Sequence, residues 1–139
     1  MKRAWQFAFT VILTGLAGAG RADVMEDKIN AMIDKAVSEW TLLVTCTALD
    51  SGNHDFLVAK WEQTKSRSKS LMQEKHIDNR KIEEYLTRMG KLAPSIKSEA
   101  PAADLMAYCH AHPEWERLIR GFKFIIPHDA LATILGGRA

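Results

Sequence analysis

The residues best equipped for chemistry fall in one short run, Cys109-His110-Ala111-His112, with a second thiol, Cys46, far upstream. A cysteine and a histidine three apart share one side of a helix. Cys109 and His112 could therefore face one metal ion, while His110 points elsewhere. A zinc site needs three or four converging ligands, so His54, His76 or His128 would have to supply the rest. A Cys–His nucleophilic pair is the other option, and it needs a free thiol. Covalent haem would need a C-x-x-C-H run, which does not occur. Nor do G-x-S-x-G, P-loop or H-E-x-x-H motifs. The acid pairs Glu83-Glu84 and Glu114/Glu116 are expected to be solvated on helix faces. The expectation is a chain with no catalytic residues, no metal and no cofactor, and not an enzyme.

What the two thiols do depends on where they reside, and the first residues bear on that. Lys2 and Arg3 precede a largely apolar, uncharged stretch from Ala4 to Leu16, followed by Ala17-Gly18-Ala19-Gly20-Arg21-Ala22. Gly20 and Ala22 suit the minus-three and minus-one positions of a cleavage site before Asp23. This is the layout of a signal peptide over residues 1–22. The stretch is shorter than the roughly 20 apolar residues that span a bilayer, so no stable membrane anchor is expected. Export to the periplasm or the exterior makes a Cys46–Cys109 disulfide the simplest use of two cysteines.

Cleavage also removes the basic excess. The whole chain has 19 Lys/Arg against 17 Asp/Glu. Losing Lys2, Arg3 and Arg21 leaves 16 against 17, a net charge of −1. A nucleic-acid partner is therefore not expected.

The elements that must position the thiols read as helices. Ile29, Met32, Ile33, Ala36, Val37, Trp40, Leu43, Val44 and Thr47 recur at three- and four-residue steps, predicting one long helix over 23–50. Asp50-Ser51-Gly52-Asn53 reads as a break, with Asp55 capping a second helix from Phe56 to about Lys75 on Val58, Trp61, Leu71 and Met72. The basic run from Thr64 to Ser70 reads as a solvated face, with an anionic partner as the sharper option. Asp78-Asn79 caps a third helix ended by Gly90. Pro101 opens a fourth, carrying Leu105, Met106, Cys109 and His112, and Pro113 breaks it. Trp115, Leu118, Ile119 and Phe122 continue the apolar stripe, and Pro127 opens a last turn before Gly136-Gly137. The expectation is a single all-α domain over 23–139, four to six helices and one disulfide, with its core at about 29–122. Trp40, Trp61 and Trp115, one per helix, are expected to meet there. His110 and His112, close to a helix end, are candidates for a pH response near 6.5.

Several short pieces together resemble the periplasmic acid-stress chaperones of the HdeA type. They are Trp40 six residues before Cys46, the Thr45-Cys46-Thr47 start, Trp61 in the next helix, and Leu105-Met106-Ala107-Tyr108-Cys109 followed by His112-Pro113. The resemblance covers Trp40 to Ile119. It implies a small exported helical protein with one disulfide, Cys46 and Cys109 its carriers here, that binds unfolded clients without ATP when acid opens it. This chain departs from that family in its wider cysteine spacing, its N-terminal extension and its apolar tail after Phe122. The expected partner is thus a protein, either unfolded clients or, for an immunity or inhibitor protein, one toxic enzyme. Self-association as a homodimer stays open.

Overall fold

The three- and four-residue apolar spacing of the N-terminal half forms a helix, α1 (Leu16–Cys46), about 46 Å long at 1.5 Å per residue. The structure is a computed structural model that describes residues 16–97 and 99–136. Five further helices follow: α2 (Ser51–Glu74), α3 (Asn79–Met89), α4 (Ala102–Ala111), α5 (Glu114–Arg120) and α6 (Pro127–Ile134). The described residues contain no strand, so the chain is all-α with one disulfide, Cys46–Cys109. Helix α1 is the spine. It packs against all five other helices, and α2 packs against α3 and α6 as well.

Most of the expected leader, residues 1–15, lies outside the described residues. Its last part, from Leu16, runs into α1 without a break. Between Gly20 and Lys28 no side chain is buried, and the core begins at Ile29. From there Met32, Ile33, Ala36, Trp40, Leu43 and Val44 are buried along one stripe. The helix ends at Cys46 rather than at Asp50, for a local reason. Thr45 and Thr47 turn their hydroxyls back onto the carbonyls of Thr41 and Leu43 at 2.6 and 2.7 Å. The His54 ring lies 3.1 Å from the Val44 carbonyl. The Val44 carbonyl thus finds a side-chain partner, and the Ala48 N–H turns to the Thr45 carbonyl three residues back, which tightens the chain out of the helix.

Helix α2 starts five residues earlier than expected. Asp50, not Asp55, is its N-cap, and accepts from the Asn53 backbone N–H. Gly52 and Asn53 therefore lie inside the helix rather than in a break. The buried stripe is Leu57, Trp61, Thr64, Ser68 and Met72. Val58, expected inside, is exposed, and Leu57 takes the core position. The basic run is likewise only half a solvated face. Lys65 is half-buried, Arg67 and Lys69 are exposed, and Thr64 and Ser68 point inward because they continue the spacing from Trp61 to Met72. The Thr64 hydroxyl accepts from the His128 backbone N–H at 3.0 Å, tying α2 to the start of α6. The Ser68 hydroxyl is buried with no partner. Ser68→Ala is therefore expected to stabilise the fold by about 1 kcal/mol, read as a higher urea midpoint, because a buried unpaired hydroxyl is lost.

Helix α3 is as read: Asp78 caps it, and Ile82, Tyr85 and Met89 are buried. Gly90 ends it with φ of 57°, a conformation that favours glycine. The Gly90 carbonyl accepts from Trp61 Nε1–H at 3.1 Å and from the Lys65 ammonium at 2.9 Å, which locks this turn to α2.

The core does not stop at Phe122. Phe124, Pro127, Leu131 and Ala132 are buried, and α6 packs on both α1 and α2. The tail is thus a wall of the domain. Phe122 itself is 71% exposed, with φ of 47°. That left-handed turn is costly for a bulky residue, and it lies between the end of α5 and the inward-facing Phe124.

Candidate functional site

The site builds outward from the two cysteines. Cys46 is the last residue of α1 and Cys109 lies in the last turn of α4. Their Cα atoms are 5.6 Å apart and the sulfurs are bonded. Among the described residues no cysteine is free. The thiol that a Cys–His nucleophile or a Cys109–His112 metal site would need is therefore committed.

The bond closes an apolar cleft of about 250 Å³ lined by Cys46, Leu49, Leu105, Met106, Cys109, His110, Trp115 and Glu116. Leu49 and Met106 are 62% and 63% exposed, whereas Leu105 is buried. Met106, expected on the inner side of α4, faces out, because only Leu105 and Cys109 of that helix are buried. Pro113 restarts the chain as α5, which carries Trp115 to the far wall of the cleft.

The two neighbouring histidines part company. His110 is exposed and lines this cleft. His112 caps α4 on another side. Its Nδ1 lies 2.8 Å from the Tyr108 carbonyl, and its ring stacks on Tyr108 at 4.3 Å. It faces a second, polar cleft with Glu39, Glu114 and Arg117. Among the described residues no group of three or more His, Cys, Asp or Glu side chains could hold a metal ion.

Of Trp40, Trp61 and Trp115, the first two meet. Trp40 and Trp61 rings are 5.2 Å apart, and Phe124 takes the third place, edge-on to Trp40 at 5.1 Å. Trp115 is instead half-buried at the cleft. Phe124 was not singled out beforehand, and its one signal was its place just before Pro127. Trp40 Nε1–H donates to the Ile125 carbonyl at 2.6 Å, and the Ile125 N–H donates to the Glu39 carboxylate at 2.7 Å. Helix α1 thus grips both polar groups of Ile125.

At the other end of α1, ion pairs flank the apolar contact with α3. The Lys81 ammonium lies 2.7 Å from the Glu26 carboxylate, and the Arg88 guanidinium 2.6 Å from Asp34. The Glu26 hydrogen bond raises the Lys81 pKa against the opposing effect of desolvation. Burial raises that of Tyr85, with the Glu26 charge adding to it. Both shifts favour the protonated side chain in the folded state. Their contribution is present below about pH 10, where both groups are protonated even when unfolded, and is lost as pH rises through the folded values. Urea midpoints measured from pH 8 to 12 are expected to fall above about pH 10, and to fall less for Tyr85→Phe. Parallel curves would contradict this.

No helix of the described residues is long and apolar enough to cross a membrane. No protein-family model matches this chain, and no curated protein and no solved structure matches it.

Proposed function

We propose that this chain is an exported, non-enzymatic helical protein that binds unfolded polypeptides, in the manner of periplasmic acid-stress chaperones. One observation carries the reading: the carboxylate ion pairs Glu26–Lys81 and Asp34–Arg88 flank the apolar contact of α1 with α3, and a disulfide joins α1 to α4. Acid acts on the first joint and leaves the second intact. Acid protonates carboxylates as a class, and an ion pair rests on the carboxylate charge.

Each exposed ion pair is weak alone. The larger effect is net charge. Without the first 22 residues, 16 Lys/Arg and 5 His would face no ionised carboxylate. Self-repulsion of that size expands a small domain and exposes apolar surface. The disulfide keeps the expanded chain from losing its topology, so it can close again on neutralisation.

The test is light scattering of an aggregating client at about pH 3 and pH 7. The expected result is at least a several-fold drop in scattering at acid pH with the protein in molar excess. Equal aggregation with and without it at acid pH would reject the reading.

A further inference from the structure

Acid opening leaves a question that the fold answers: which surface is still shaped when the ion-paired end has loosened. The cleft between Leu49, Met106 and Trp115 is built on Cys46 from α1 and Cys109 from α4. Its α1 and α4 sides are therefore covalently joined at any pH, and α5 brings Trp115 against them. We infer that this cleft is the anchor point for one large aliphatic or aromatic side chain of an unfolded polypeptide, an inference that rests on the client-binding reading.

Size, charge and chemistry choose this occupant. At about 250 Å³ the cleft is smaller than the roughly 300–1,000 Å³ of small-molecule pockets. A stable dimer buries roughly 800 Å² on each partner, far more than the exposed parts of Leu49, Met106 and Trp115 offer. The occupant is thus a single anchoring side chain on a longer, loosely held segment. Of the two titratable lining residues, Glu116 is already paired with Arg120 at 2.8 Å. The rest of the lining, Leu49, Leu105, Met106 and Trp115, is apolar at any pH and suits an apolar side chain. The unbranched, polarizable side chain of Met106 adapts to partners of different shape, which suits clients with no common sequence. A wall held by a cross-link is pre-organised, so less binding energy is lost to ordering it.

The experiment uses the mature, oxidised protein and a reduced, carboxymethylated polypeptide bearing a fluorophore, with binding read as anisotropy at pH 3 and pH 7. Leu49→Lys and Met106→Lys put a charge that persists at both pH values into the cleft. Phe122→Lys does the same at an equally exposed aromatic outside it. Circular dichroism at pH 7 checks that each variant folds. Leu49→Lys and Met106→Lys are expected to weaken acid binding at least 10-fold, and Phe122→Lys less than 2-fold. If wild type binds and all three variants weaken it alike, or the first two leave it unchanged, the cleft is not the anchor while client binding stands. If wild type binds at neither pH, the client-binding reading and the anchor fall together. A wild-type dimer in sedimentation that Met106→Lys dissolves would make a second copy the occupant and overturn the inference.

Discussion

Replacing Cys46 and Cys109 together by serine is expected to cost about 4 kcal/mol, the chain-entropy value for a closed loop of this length. The bond spans a sequence separation of 63 and ties α1 to α4. Against a total of roughly 5–15 kcal/mol for a small domain, that is a large share. It corresponds to a fall of roughly 15 °C in Tm for a chain of this size. The reason is specific to α4. That helix buries only Leu105 and Cys109, and its main packing partner is α1. The irregular segment that precedes it is held by the Ser95 N–H donating to the Thr45 hydroxyl at 2.9 Å and by Leu92 packing on the core. Thermal denaturation of oxidised wild type and the double variant at pH 7 measures the loss. At about pH 3 the variant is expected to lose the near-ultraviolet signal of its aromatic packing and to recover it slowly on neutralisation. A variant as stable as wild type would show that α4 needs no tether.

The second large effect is at Trp40. Its side chain is fully buried, touches Trp61 and Phe124, and holds the Ile125 carbonyl. Trp40→Ala is expected to cost about 3–5 kcal/mol by leaving a cavity between α1, α2 and the segment before α6. Trp40→Phe keeps an aromatic ring but leaves the Ile125 carbonyl without this donor. It is expected to cost less, about 1–3 kcal/mol. Urea unfolding separates the two. If Trp40→Phe costs as much as Trp40→Ala, the hydrogen bond rather than the aromatic cluster holds the tail.

These effects locate where reading from residues alone succeeds. The α1 stripe was legible because Ile29 to Thr47 repeat at helical steps over five turns, and packing on every neighbour enforces that pattern. Asp78 and Gly90 marked α3 because capping is local chemistry. The paired cysteines followed from the export signature and their number. The start of α2 was misread because Asp50 and Asp55 are both good caps, and the choice depends on α1 ending four residues before Asp50. Thr64 and Ser68 were assigned to solvent on polarity, whereas the helical phase set by Trp61 and Met72 puts them inside. The position of Trp115 and the inward turn of Phe124 depend on Pro113 and on the left-handed Phe122, neither of which shows its direction in a residue pattern. The cleft was invisible for a further reason: its lining comes from α1, α4, α5 and the turn after α1, which only the folded chain brings together.

One covalent bond, Cys46–Cys109, holds the front of this domain to its back. Intact mass of the exported protein after alkylation without reductant tests it most directly. The account predicts a chain beginning at Asp23 with no alkylated thiol, and two alkylated thiols once it is reduced and unfolded. Two alkylated cysteines before reduction would contradict it.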